Sequence, residues 1–314
     1  MKKKLVAGAV TLLSVVTLAA CANSTNKDVV TMKGDTITVS DFYDEIKSNQ
    51  GAQQVLFQMT INKVFEKEYG SKVSDKEVDK ELAKQKKQLG NRFDAYLAQQ
   101  GLTEETAKKQ IRSNMLLEYA VNQAAKKDIK ESDYKAAFES YTPEVTAQII
   151  KLDSEDKAKE VLEAAKAEGA DFAQIAKDNS TDTATKDKGG EVKFDSGTAD
   201  IPSQVKEAAF KLDENGISDV ITVSAGQNYS ASYYIVKLNK KTEKGSDWKK
   251  YEKRLKEIIV DGRKQDTNYI RSIIAKAMTN ANIKVKDDAF KSTFNQYLQN
   301  IGVQTSDSSS SSKK

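Results

Sequence analysis

Polar and apolar residues follow one period at the two ends of the chain and another in its middle. From Asp41 to Tyr141 there is no proline, and apolar positions recur at helical spacing. This predicts helices near 41–49, 52–69, 74–89, 91–100, 104–127 and 132–140. Ahead of them, Val29–Met32 and Thr36–Val39 flank Lys33-Gly34-Asp35 and read as a tight hairpin. Ser74 and Glu77 form a capping box, and Thr103 before Glu104 and Glu105 caps a start where the helix dipole favours acids. In the longest helix Ile111, Met115, Tyr119 and Asn122 share one stripe, which Leu116 and Ala120 widen.

Asp247 to Asn280 predicts a further helix of roughly 30 residues, about 45 Å long. Its stripe runs from Trp248 and Tyr251 through Leu255, Ile258 and Ile259 to Tyr269, Ile270, Ile273 and Ile274. A rod of that length needs a packing partner. The other helical block is the natural one, which makes the segment between them an insertion. A shorter helix near 287–300, with Ala289, Phe290, Phe294, Tyr297 and Leu298, completes that helical assembly. The insertion reads as a strand at 145–152, helices at 154–168 and 171–178, a polar loop over 179–200, a helix at 203–211 and strands at 217–223 and 231–239. That is a compact α+β domain.

The ends set the address. Lys2, Lys3 and Lys4 precede Leu5–Leu18, an apolar run too short to span a bilayer and suited to a secretory signal. It ends in Leu18-Ala19-Ala20-Cys21, which resembles a bacterial lipobox. That resemblance implies cleavage before Cys21, a diacylglyceryl group on its sulfur, and residence on the extracytoplasmic face of the cell membrane; two acyl chains suffice for stable anchoring. Residues 22–28 form a polar tether, and the Ser-rich end at 304–314 has no apolar residue to bury and is expected to be disordered. The chain has no histidine and one cysteine, so no metal site and no cofactor is expected. Loss of the three leading lysines takes the formal +4 to about +1, which does not suit nucleic-acid binding. The absence of serial βαβ units argues against a two-lobed solute-binding protein.

The insertion resembles the parvulin family of peptidyl-prolyl isomerases. The resemblance rests on Ala147-Gln148-Ile149-Ile150, Gly169-Ala170-Asp171-Phe172-Ala173-Gln174-Ile175-Ala176-Lys177, Asn179-Ser180-Thr181-Asp182, Gly189-Gly190, Ala208-Ala209-Phe210-Lys211-Leu212 and Tyr234-Ile235-Val236-Lys237. With the lipobox and the flanking helices, the whole chain is similar to the PrsA-type foldase lipoproteins of Gram-positive bacteria, whose helical module resembles that of the chaperone SurA. This implies an α+β fold class: a mainly helical chaperone module formed by N- and C-terminal segments, with an inserted parvulin-like domain. The implied limits are a signal at 1–20, lipidated Cys21 and tether to 28, helical module at 29–142, parvulin-like domain at 143–240, C-terminal helices packing on the N-terminal module at 241–303, and the tail.

The resemblance also implies the site. The family's Cys/Asp position falls on Asp182, its first-strand histidine on Gln148 and its last-strand histidine on Tyr234. The apolar cup for the proline falls on Ile201 and Val205, with Phe210 beside it. The family's Gly-Gly-Asp-Leu-Gly-x-Phe is here Gly189-Gly190-Glu191-Val192-Lys193-Phe194, one glycine short. Two readings stay open: an isomerase using Asp182, Gln148 and Tyr234, or a non-catalytic holdase whose domain only binds or scaffolds clients. The expected partners are unfolded or newly secreted proteins and, through Cys21, the membrane. Phe42, Tyr43, Phe57, Met59, Phe65, Met115 and Tyr119 are candidates to line a client groove; such a groove equally suits a homodimer interface.

Overall fold

The computed structural model describes residues 27–225 and 230–298. Cys21, the signal segment and the tail lie outside the described residues. Among those described, no helix is long and apolar enough to cross a membrane. The described residues form two compact units, one from 27–70 with 274–298 and one from within 71–273.

The first unit begins with an antiparallel hairpin, β1 (Asp28–Met32) and β2 (Asp35–Thr38), turning at Gly34 with φ +88°. β2 stops at Thr38 because that residue caps α1 (Val39–Ile46): its hydroxyl accepts from the Asp41 amide, and the Asp41 carboxylate accepts from the Thr38 amide. α2 (Gln50–Tyr69) buries Phe57, Ile61, Val64 and Phe65, one helical stripe. The C-terminal segment returns onto it. The Phe294 ring meets Phe57 edge-on at 5.4 Å, Gln53 donates to the Ala289 carbonyl, and Tyr43 donates to Asp287 at 2.7 Å.

The second unit carries α3 (Asp75–Leu89), α4 (Phe93–Gln99), α5 (Glu104–Lys127) and α6 (Glu131–Ser140). The Ser74 and Thr103 caps form as expected. The buried stripe of α5 centres on Ile111, Leu116, Ala120 and Val121, while Met115 and Tyr119 are only half-buried. The expected rod at 247–280 is three pieces: a 3-10 helix at Trp248–Tyr251, α10 (Glu252–Gln265) and α11 (Thr267–Asn280). The break is Asp266, whose extended backbone (φ −77°, ψ 106°) frees its carboxylate to accept from the Asn268 and Tyr269 amides. The cap outweighs helix continuity there. α10 packs on α5 and α6, and Arg263 clamps them by donating to the Ala125 carbonyl and the Asp133 carboxylate, each at 2.8 Å.

Between α6 and α10 lies the α+β insertion: β3 (Val145–Leu152), α7 (Glu155–Lys166), α8 (Phe172–Asn179), β4 (Glu191–Phe194), α9 (Ser203–Lys211), β5 (Ile221–Ala225) and β6 (Ser230–Lys241). The sheet order is β4-β3-β6-β5, all antiparallel. α9 covers one face and α7 with α8 the other. β4 falls inside the expected loop at 179–200; its four residues are too few for a readable period.

The insertion is joined to the helices by more than its two chain connections. Asp195, just after β4, is buried and accepts from Arg254 of α10 at 2.6 and 2.8 Å, from the Tyr141 hydroxyl at 3.1 Å, and from Thr198 and the Gly197 amide. Burial alone would raise this carboxyl, but the Arg254 guanidinium and the hydroxyls hold it below the usual aspartate range. Burial, and then the same carboxylate, push the Tyr141 phenol up. Gly197 lies against Ile258, where a Cβ would overlap the side chain. Tyr134 stacks on Trp248 at 5.0 Å, and Phe138 on Tyr251 at 5.7 Å.

Arg254→Met should strand Asp195 and lower the stability of this unit by about 2 kcal/mol; a fully buried pair would cost roughly 3–5, but Arg254 is partly exposed. The Asp195 pKa is depressed on folding, so its contribution is present above the unfolded value near about 3.9 and lost as pH falls through the lower folded value. In the variant, burial without Arg254 raises the Asp195 pKa, so the gap between parent and variant should be full at neutral pH and narrow steadily as the pH is lowered through the acidic range. Urea titration followed by Trp248, the single tryptophan, reads both.

Candidate functional site

Which side chains meet is decided by which face of the sheet each one takes. On β3, Val145, Ala147 and Ile149 pack with Tyr234, Val236 and Leu238 of β6, beneath Phe194, Ile201, Val205 and Ala209. Ile150, Leu152 and Ile235 point the other way, to α7 and α8. Successive residues alternate faces, so Gln148 shares the α8 side. The register agrees, pairing Gln148 with Lys237 and Lys151 with Tyr234.

The expected trio of Asp182, Gln148 and Tyr234 is therefore not brought together. The Gln148 amide donates to the Gly189 carbonyl at 2.9 Å and is buried there. It locks the Gly189-Gly190 turn, where both residues have positive φ, 66° and 79°. A Cβ on Gly190 would come within 2.5 Å of the Ile149 carbonyl oxygen. Close approach forces glycine at that point, and Ile149 N–H in turn donates to the Gly190 carbonyl. The residue beside Tyr234 on its own face is Ile149, diagonal across the strand pair, with Lys151 directly opposite.

Asp182 reaches that end of the sheet through its loop. Thr181 N–H donates to the Lys151 carbonyl at 2.8 Å, the Ser180 hydroxyl accepts from the Lys151 amide, and the Thr181 hydroxyl donates to Asp153. The Asp182 carboxylate accepts from the Thr185 hydroxyl at 2.6 Å and from the Ala184 amide, so it also organises its own turn. Tyr234 is 9% exposed; its hydroxyl makes no hydrogen bond among the described residues and is the part of the side chain open to solvent. Burial first, then the charges of Asp182 and Asp153, raise its pKa, so the phenol stays a donor at neutral pH.

The cup differs in depth from expectation. Ile201 is nearly as buried as the core, at 9% exposed, and Val205 is wholly buried in the same apolar cluster. Phe210 is half-buried, its ring 5.9 Å from that of Phe194. The arrangement is an apolar surface ending in one protonated phenol flanked by carboxylates and Lys151. No group of three or more His, Cys, Asp or Glu placed to hold a metal occurs among the described residues. Replacing Asp182 by Asn should lower the Tyr234 pKa, measured by NMR of carbon-labelled tyrosine with Tyr234→Phe for assignment. Gln148→Ala should leave that pKa unchanged and instead loosen the Gly189-Gly190 turn, seen as faster amide exchange at Ile149.

Comparison with known proteins fits this picture. The rotamase family, described as a PPIC-type PPIASE domain, matches residues 142–240. The foldase protein PrsA of Streptococcus sanguinis is 62% identical over 96% of this chain and 90% of its own length. That of Streptococcus gordonii is 60% identical over the full length of both. Among solved structures, the PrsA foldase of Streptococcus pneumoniae shares 55% identity with a TM-score of 0.78, covering 86% of this chain and 99% of that one. The PrsA of Lactococcus lactis shares 38% with a TM-score of 0.65, covering 86% and 99%. With this identity over nearly the whole length of both chains and a rotamase domain at 142–240, the chain belongs to the PrsA foldase family.

Proposed function

We propose that this protein is a foldase that assists newly secreted polypeptides at the outer face of the cell membrane, held there by a diacylglyceryl group on Cys21. Its domain at 143–240 isomerises X–Pro bonds, and the helical segments at 29–142 and 241–303 hold unfolded clients. The observation that carries the catalytic part is the Tyr234 hydroxyl: unbonded among the described residues and open to solvent, on a ring packed in the apolar cluster with Ile149, Ile201 and Phe194.

The chemistry asked of such a site is modest. Rotation about an X–Pro amide loses resonance over a barrier of roughly 18–20 kcal/mol, and no bond is made or cut. An apolar surface around Ile201, with Phe210 beside it, seats the ring and excludes water. As the amide twists, its nitrogen becomes pyramidal and a better acceptor. A phenol kept protonated can donate to it, and that bond strengthens only in the twisted state. Asp182 acts as a positioning residue, through its field on the phenol and its hold on the loop.

Client holding is supported by apolar surface in the first unit. Beside α2 a concavity of about 500 Å³ is lined by Thr60, Val64, Ala281 and Ile283 with Lys63, Lys67 and Glu68 at its rim. Phe57 and Phe65 are core residues and take no part, whereas Phe42, Tyr43 and Met59 are exposed. The holdase reading, without catalysis, has one observation in its favour: Ile149, not a hydrogen-bonding residue, stands beside Tyr234.

The mature chain should accelerate the proline-limited refolding of a test protein. Tyr234→Phe should reduce the acceleration by up to about tenfold, the worth of one hydrogen bond, and Asp182→Ala should reduce it less. The rate should stay level across about pH 5–8, where a histidine-based site would titrate, because the phenol's pKa is raised rather than lowered. No acceleration by the folded parent chain, with aggregation of an unfolded client still suppressed, would leave the holdase reading standing.

A further inference from the structure

Between Lys27 and Leu56 no residue is buried. All five residues of β1 are exposed, and α1 has no buried side chain at all. Yet the segment is patterned for burial. At 100° per residue, Val39, Phe42, Tyr43 and Ile46 fall on one narrow stripe of α1, while Ser40, Asp41, Asp44 and Glu45 take the opposite side. On the hairpin, Val30 pairs with Ile37 and shares its face with Met32. Val30, Met32, Phe42 and Tyr43 are 48%, 51%, 53% and 40% exposed. A two-stranded hairpin and an eight-residue helix are each marginal in water. Tyr43 is tied at one edge to Asp287 and Phe290; the rest of the face is left to an outside partner.

The position of Cys21 selects that partner. Seven peptide steps separate Cys21 from Asp28, so at about 3.5 Å each the hairpin starts within roughly 25 Å of the sulfur. This argument rests on the lipid anchor proposed above. A bilayer that already holds Cys21 is then at high effective concentration beside this face, whereas a client or a second copy has to arrive by diffusion. Between 27 and 47 there are three lysines against five acids, and the acids of α1 lie on the back of the helix. The face is thus apolar without being basic, which fits docking by burial rather than by attraction to anionic headgroups.

We infer that the β1–β2 hairpin and α1 form a membrane foot, seating Val30, Met32, Ile37, Phe42 and Tyr43 in the boundary between lipid headgroups and acyl chains. The tyrosine hydroxyl and ring suit that boundary. The foot fixes the orientation of the first unit on the membrane, which a lipid attached at one residue alone does not.

The test uses the mature chain from Ala22 made without lipid, carrying Phe42→Trp, beside the parent chain. Phosphatidylcholine and phosphatidylglycerol vesicles with brominated acyl chains should quench the Phe42→Trp chain beyond the quenching of the parent chain, whose Trp248 sets the background. Val30→Ser with Phe42→Ser should lower vesicle binding by at least about tenfold, and salt should change it little. Absence of that added quenching with a native circular dichroism spectrum overturns the inference. So does a Val30→Ser/Phe42→Ser variant that splits a dimer in sedimentation velocity, or loses client holding, while vesicle binding is unchanged. Mass spectrometry of Cys21 in the chain made by the cell tests the anchor separately: an unmodified cysteine removes the anchor reading, while the vesicle assay on lipid-free protein still reads the face.

Discussion

Everything between residues 71 and 273 turns on where one carboxylate can be neutralised. Asp195 is buried at the end of β4 and takes hydrogen bonds from Arg254, Tyr141, Thr198 and Gly197. A carboxylate so placed, without its guanidinium, is strongly unfavourable. The loop after β4 is therefore stable only where α10 presents Arg254, and α10 is itself set by Arg263 on α5 and α6. The aromatic pairs Tyr134–Trp248 and Phe138–Tyr251 fill the space around that ion pair. An inserted domain on two connections would otherwise pivot. Here the ion pair and the aromatic seam hold its sheet to the helices it interrupts.

The same rigidity frames the site. Tyr234 is fixed by two neighbouring strands, Lys151 on one side and Ile221 on the other. The Asp182 loop is stitched to β3 through Ser180 and Thr181. A donor that must meet a twisting amide gains from being held rather than recruited. With no imidazole in the chain, the proposed site would rest on placement alone, without proton exchange with solvent.

Local signals were legible in the sequence. The Ser74 and Thr103 caps depend on residues three apart, and they appear as read. The α+β character of the insertion follows from its strand and helix periods. Three features were not legible, each for a physical reason. Asp266 reads as one more polar residue on a solvated helix face, although its carboxylate ends that helix and starts the next. The Asp195–Arg254 pair spans 59 positions, and nothing local announces it. The face of Gln148 was unreadable because β3 is buried on both sides: Ala147, Ile149, Ile150 and Leu152 show no alternation from which to set the parity. A family outline identifies such a strand more readily than it assigns its side chains.

β4 carries a last consequence. It is an edge strand, and edges with free amides and carbonyls recruit other extended chains. A protein that works among unfolded polypeptides is unusually exposed to that hazard. β4 is only four residues long, bounded by the Gly189-Gly190 turn at one end and the anchored Asp195 at the other. Glu191 and Lys193 are its outward residues. Its shortness and charge leave little edge on which a client could nucleate a growing sheet, so the domain can handle extended chains without templating their aggregation.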